Sequence, residues 1–182
     1  MTNKKEIIAG IIIIGNEVLS GRTKDVNTST IAIWLNSLGI TVKEVRVIPD
    51  DKEKIIDTVN KLRKNFNYVF TTGGIGPTHD DITAESISEA FNLEYDFHKE
   101  AFSILKNYYK PGEFSEGRQK MAKMPTSAKL IMNPSSGAPG FYVENVFCLP
   151  GVPSIMKAML GSLNNLLVGG DPILSETINL RT

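Results

Sequence analysis

One stretch near the start, Ile7 to Ile14, constrains the fold of this chain more than any other. It is β-branched almost throughout and, at eight residues, too short for most helices. A strand apolar on both sides is buried on both faces, and that is the habit of parallel sheets covered by helices. The run falls far short of the roughly 18 apolar residues of a membrane span. It continues directly into Gly15-Asn16-Glu17 without a small-residue cleavage site, so it reads as a strand and not as a signal peptide.

The next ninety residues repeat a strand–helix rhythm. Gly15 to Thr28 is polar and reads as a loop. Ile31, Trp34, Leu35 and Leu38 follow the spacing of an amphipathic helix, and Gly39 stops it. Ile40 to Ile48 is a second strand, alternating at Val42, Val45 and Val47. Pro49-Asp50-Asp51 opens a helix carrying Ile55, Ile56, Val59 and Leu62. Tyr68 to Thr71 is a third strand, and a helix from about Ile82 to Phe91 follows a glycine-rich turn. Strands alternating with helices predict βαβ units and a mostly parallel sheet.

The second half is less regular. His98 to Met124 has a helical pattern broken at Pro111-Gly112, and Met132 to Gly140 reads as a loop. Phe141 to Val143 and Val146 to Leu149 form a small β-hairpin turning at Glu144-Asn145. Pro150-Gly151-Val152-Pro153 leads into a helix whose core face is Met156, Met159, Leu160 and Leu163. Glu176 to Leu180 resembles a strand that begins as the sequence stops, either an edge of the sheet or the sign of a longer protein. The whole of 1–182 suits a single domain.

Charge narrows the partners. Lys and Arg number 20 and Asp and Glu number 20, with no dense basic stripe, so neither nucleic acid nor a membrane is an expected partner. The lone cysteine, Cys148, lies in an apolar run, where a packed thiol is expected; the single-cysteine usage fits a reducing, cytoplasmic setting.

The chemistry concentrates after the third strand, in Thr72-Gly73-Gly74-Ile75-Gly76-Pro77-Thr78-His79-Asp80-Asp81. In open α/β sheets ligands bind beyond the carboxyl ends of the strands. Glycines there let backbone N–H groups approach an anion, and Thr72 and Thr78 add hydroxyls. No Lys-Ser/Thr pair follows Gly76, so this is not a Walker loop. Asp80 and Asp81 either cap the next helix or ligate a hard cation such as Mg²⁺ beside a phosphate. Asp50 is placed to emerge at the same edge, and with Glu53 it also matches a helix start. In the first loop Ser20 and Arg22 are candidate phosphate or ring contacts and Glu17 a candidate ribose or base contact, with Asn27 or Thr28 as helix caps. His79 has no array of partners that would make it a general base, and Arg118 and Lys120 matter only if their segment folds over the site.

Together these motifs resemble the molybdopterin-binding domain family that includes MoaB and Mog. The carriers are Thr72 to Gly76 followed by Asp81-Ile82-Thr83-Ala84-Glu85, and the first loop from Gly15 to Asn27. Pro77-Thr78-His79-Asp80-Asp81 resembles the CinA branch, as do Asn133 to Phe141 and Leu149 to Pro153. The resemblance implies a three-layer α/β/α fold, a catalytic, Mg²⁺-linked carboxylate at Asp81, Asp50 as a second functional acid and phosphate held by Gly73, Gly74 and Gly76. A divalent cation (Mg²⁺, Co²⁺ or Mn²⁺) is the implied cofactor and a dimer or trimer the implied assembly. For the CinA branch it implies cleavage of the pyrophosphate in ADP-ribose- or FAD-like compounds. For the MoaB and Mog branch it implies binding or adenylylation of molybdopterin; a binding module without turnover is the third expectation. The amidase domain of many CinA proteins is absent from this sequence, so no amidase activity is expected.

Overall fold

The computed structural model describes residues 6–170; the strand expected at Glu176 to Leu180 lies outside them. The chain opens with β1 (Ile7–Ile14), a short helix α1 (Asn16–Leu19), α2 (Asn27–Ser37), β2 (Ile40–Ile48), α3 (Lys52–Asn65), β3 (Tyr68–Thr72) and α4 (Thr83–Ala90). It continues through β4 (Tyr95–Phe97), α5 (Lys99–Tyr108), α6 (Glu116–Lys120), β5 (Lys123–Pro125), β6 (Lys129–Ile131), β7 (Gly140–Val143), β8 (Val146–Leu149) and α7 (Pro153–Leu160).

Six strands form one sheet in the order β2-β1-β3-β8-β7-β6. The first four run parallel, and β7 and β6 complete the sheet antiparallel. This is the mostly parallel α/β sheet expected from the sequence, with the β7–β8 hairpin turning at Glu144-Asn145, where Glu144 adopts a left-handed φ of 50°.

The isoleucine run explains the layers. Ile11 and Ile13 pack into a core with Ile31 and Leu35 of α2 and Met156, Met159 and Leu160 of α7. Ile12 and Ile14 point the other way, into a core with Ile55, Val59 and Leu62 of α3 and Ile87 of α4. Each fully buried isoleucine contributes about 1.5–3 kcal/mol. Both faces of β1 are therefore committed, and neither polar substitution nor a register slip is tolerated there. Cys148 is fully buried in the second core, and burial pushes its thiol up to about 12, which removes it as a nucleophile at neutral pH.

Three expectations are corrected. The first loop contains α1, because Ser20, Val18 and Leu19 donate back to Asn16 and Gly15 carbonyls and close one helical turn. The segment up to Met124 is not helical to its end: β5 pairs antiparallel with β4 as a separate two-stranded sheet beside α4, α5 and α6. Three-residue strands carry too little alternation to show in a sequence pattern. A further strand, β6, precedes the Met132 loop and pairs with β7. Among the described residues no helix is long and apolar enough to cross a membrane.

The hairpin is tied to the helical layer by Asn145, whose Nδ2 donates to the Arg63 and Phe66 carbonyls, each at 3.0 Å, at the end of α3. These carbonyls have no intrahelical partner at a helix C-terminus. Asn145→Ala is expected to lower stability by about 1–3 kcal/mol in urea unfolding, without loss of the fold.

Candidate functional site at the carboxyl edge of the sheet

The parallel strands deliver four loops to one edge: Gly15–Val26 after β1, Pro49–Asp51 after β2, Gly73–Ile82 after β3 and Pro150–Val152 after β8. The glycine turn is the centre. Gly73 has φ 103° and Gly74 φ 69°, a region that side chains rarely enter. A Cβ on Gly73 would run into the Ile14 carbonyl oxygen, and one on Gly74 into Thr83 Oγ1. The turn is locked from α4, since Thr83 N donates to the Gly74 carbonyl and Thr83 Oγ1 to the Gly73 carbonyl, both at 2.9 Å. Gly73 N donates to the Leu149 carbonyl at 3.1 Å, so its amide is engaged within the fold. Among the described residues the N–H groups of Gly74, Ile75 and Gly76 have no partner, and these are the donors open to an anion.

Asp81 does not cap α4, whose N-cap is Ile82 without a side-chain bond. Its Oδ2 accepts from Thr78 N at 2.8 Å and Thr78 Oγ1 at 2.5 Å, closing the loop on itself. The same carboxylate lies against Gly76, where a Cβ would come within 2.7 Å of Oδ2. Asp80 is exposed, and the Thr78 side chain and a backbone N–H hold its carboxyl below the ordinary aspartate range.

Asp50 and Asp51 have separate tasks. Asp51 is the N-cap of α3, accepting from Lys54 N at 2.8 Å. Asp50 turns to the first loop and accepts from Asn16 N at 2.9 Å. Burial raises the Asp50 carboxyl above its ordinary value; the Asn16 N–H works against the rise, and the charges of Glu17, Asp80 and Asp81 add to it. Asp50 is thus near enough to feel the charges of the other three acids.

Two hollows flank the glycine turn. One, about 10 Å³ and so roughly water-sized, lies among Gly74, Gly76, Asp81, Tyr95, Lys120 and Pro139. Gly74 and Asp81 therefore share one cleft, and Lys120 closes its inner end: its Nζ donates to the Thr78 carbonyl and, at 3.0 Å, to the Asp81 carbonyl. The other, about 40 Å³, is lined by Glu17, Asp25, Asn27, Thr72 and Gly151, with room for the edge of a ring. Thr72 is buried at its floor.

Asn27 is not a cap. Asp25 does that work, accepting from the N–H groups of Asn27 and Thr28 at 2.8 and 3.2 Å. The buried Asn27 amide instead donates to the Gly151 carbonyl at 2.9 Å, and its Oδ1 has no partner among the described residues. An acceptor left so in a cleft invites a donor from a ligand. Ser20 and Arg22 are exposed, joined by a 3.2 Å bond from Arg22 Nε to Ser20 Oγ, and line neither hollow. His79 is exposed on the loop. Arg118 faces away, donating to the Glu113 carbonyl and stacking 4.3 Å from the Tyr109 ring centre. Asn27, Gly151, Tyr95 and Lys120 are the participants that spacing alone does not assign.

Among the described residues no three His, Cys, Asp or Glu side chains converge as a metal cage. The donor set fits instead an ion shared between one or two carboxylates and a ligand's phosphate oxygens, the habit of Mg²⁺.

Comparison with known proteins identifies the family and the fold. Residues 10–168 match the model of a family described as probable molybdopterin binding domain. A curated protein from Caldivirga maquilingensis is 39% identical over 180 residues, covering 95% of this chain and 70% of its own length. One from Archaeoglobus fulgidus is 40% identical over 147 residues, and the chain spans 63% of its length. The solved structure of a CinA protein of unknown function from Thermoplasma acidophilum superposes with a TM-score of 0.81 at 32% identity, covering 88% of this chain and 98% of that one. MoaB from Pyrococcus furiosus, described as a tungsten cofactor synthesizing protein, gives 0.57 at 26% identity, covering 89% and 92%.

Because Asp50 is raised, its ionisation in the folded state opposes stability. That penalty is absent below the unfolded pKa, grows as pH rises, and is complete above the folded pKa. Asp50→Asn keeps an acceptor for Asn16 N and is expected to raise the melting temperature at pH 7. The gain over the wild-type protein should vanish as pH falls to the ordinary aspartate range; a gain equal at all pH would remove the charge from the explanation.

Proposed function

The chain belongs to the probable molybdopterin-binding domain family, with likeness to CinA and MoaB proteins, and from that premise we propose that its carboxyl edge binds the phosphate of a nucleotide or pterin and hydrolyses a diphosphate bond in it. The observation that supports this reading is the set of open amides at Gly74, Ile75 and Gly76 beside the Asp81 carboxylate. The amides would hold a phosphoryl oxygen and stabilise charge as it develops there. Asp81 is in place to take a proton from an attacking water or to orient it. The new bond joins the water oxygen to phosphorus, the P–O bond to the bridging oxygen breaks, and the departing phosphate takes the electron pair. Asp81, with Asp80 and Asp50 nearby, would hold the divalent cation (Mg²⁺, Co²⁺ or Mn²⁺), which when bound neutralises phosphoryl charge. The acceptors Glu17, Asp25 and Asn27 Oδ1 in the hollow of about 40 Å³ suit ring or ribose donors.

ADP-ribose- and FAD-like diphosphates are the substrate class of this reading, in a cytoplasmic dimer or trimer. A second reading, binding or adenylylation of molybdopterin, draws on the family match and on the likeness to the Pyrococcus MoaB.

Incubation with ADP-ribose or FAD and Mg²⁺ or Co²⁺ is expected to release AMP. Asp81→Asn should lower that rate about 10²-fold or more with an unchanged circular dichroism spectrum. Binding of molybdopterin without AMP release would support the second reading instead, and failure of both would leave a module without turnover. Retained activity in Asp81→Asn would remove Asp81 from the mechanism.

A further inference from the structure

Beside the glycine cleft lies a larger hollow of about 430 Å³ lined by Phe97, Glu116, Gln119, Lys120 and Lys123. That volume is ordinary for a small-molecule site. It adjoins the glycine cleft, because Lys120 and Lys123 line both.

Its chemistry is specific. Lys120 gives hydrogen bonds to the Thr78 and Asp81 carbonyls, which leaves one of its three ammonium protons for another acceptor. Lys123 and Phe97 are cross-strand partners in the β4–β5 pair, and the Lys123 Nζ rests 4.9 Å from the Phe97 ring centre. That cation–π contact holds the ammonium at the hollow while leaving its protons free for an anion. Gln119 Nε2 donates to the Phe114 carbonyl at 3.0 Å, so its side-chain oxygen is the group left to accept. Glu116, exposed on α6, supplies a second acceptor. Two ammonium donors beside two acceptors and an aromatic face make a set for a phosphate with hydroxyls next to it.

Electrostatics gives the direction. Asp81 lines the glycine cleft together with Lys120 and Lys123, and the charges of Glu17, Asp80 and Asp81 reach Asp50. A second phosphate attached to one at Gly74 to Gly76 is repelled by these carboxylates and drawn to the ammonium groups of the adjoining hollow.

We propose that this hollow is a second anion subsite, which takes the next phosphate and the adjoining hydroxyls of a diphosphate ester whose first phosphate lies at the glycine turn. The inference rests on reading the glycine turn as a phosphate site. A ligand with one phosphate fills only the first subsite, so Lys120 and Lys123 select for the diphosphate.

Calorimetric titration with inorganic phosphate, ADP and ADP-ribose tests this. The wild-type protein is expected to bind ADP about tenfold or more tightly than phosphate. Lys123→Gln should weaken ADP about fivefold or more beyond any loss for phosphate, and Lys123→Arg should restore the margin. Glu116→Gln should weaken metal-free binding of ADP-ribose and spare ADP, whose terminal phosphate carries no sugar. Equal weakening of phosphate and ADP by Lys123→Gln, or ADP binding no tighter than phosphate, would overturn the subsite. Gly76→Ala separates the two readings: loss of phosphate binding there with no effect of Lys123→Gln sinks the subsite alone. Phosphate binding that is unchanged in Gly76→Ala sinks the glycine-turn reading and the subsite with it.

Discussion

The pair of hydrogen bonds from Thr83 to the Gly73 and Gly74 carbonyls determines what this edge can do. With both carbonyls held by α4, the N–H groups of Gly74, Ile75 and Gly76 are left without a partner among the described residues. Left-handed φ at both glycines is the condition for that turn, and the close approach of β1 and α4 leaves no room for a side chain at either. Packing, backbone conformation and ligand chemistry are here one constraint. Gly151 lies over Gly73, where even a methyl group would touch its Cα at 3.4 Å, so the loop after β8 belongs to the same arrangement.

Around that turn charge is concentrated. Acids come to it from three loops, and partial burial together with the charges of Glu17, Asp80 and Asp81 raises Asp50. Lysines from α6 and β5 line the same cleft as Asp81. Stability alone does not favour crowded carboxylates, and structures retain such costs where a site requires them. A net charge of zero over the chain conceals this local polarity.

The sequence reveals the fold where periodicity is strong. The isoleucines of β1, the apolar face of α2 and the methionine face of α7 each specify burial on a known side: Ile11 to Ile14, Ile31, Leu35, Met156, Met159, Leu160 and Leu163 are buried, and Ile7, Ile8, Trp34 and Leu38 partly so. The glycine turn and Asp81 were legible too, because glycines and paired acids between a strand and a helix leave few alternatives. The small β4–β5 sheet was not legible: its strands are three residues long, and Tyr95, Asp96 and Phe97 have no pattern of their own. For that reason the part of Lys120 and Lys123 is clear only once this sheet folds beside α4. Asn27 was hidden differently, since an asparagine at the first turn of a helix reads as a cap, and only the neighbouring Asp25 shows that the cap is already supplied.

Amide-resolved NMR during titration with AMP measures directly whether the glycine turn receives a phosphate. The largest shifts should fall on Gly74, Ile75 and Gly76, with smaller ones at Thr78 and Asp81. Shifts centred instead on the groove between α2 and α7, at Ile33, Trp34 and Leu160, would contradict a phosphate site at the carboxyl edge, as would a glycine turn whose amides do not respond at saturating ligand.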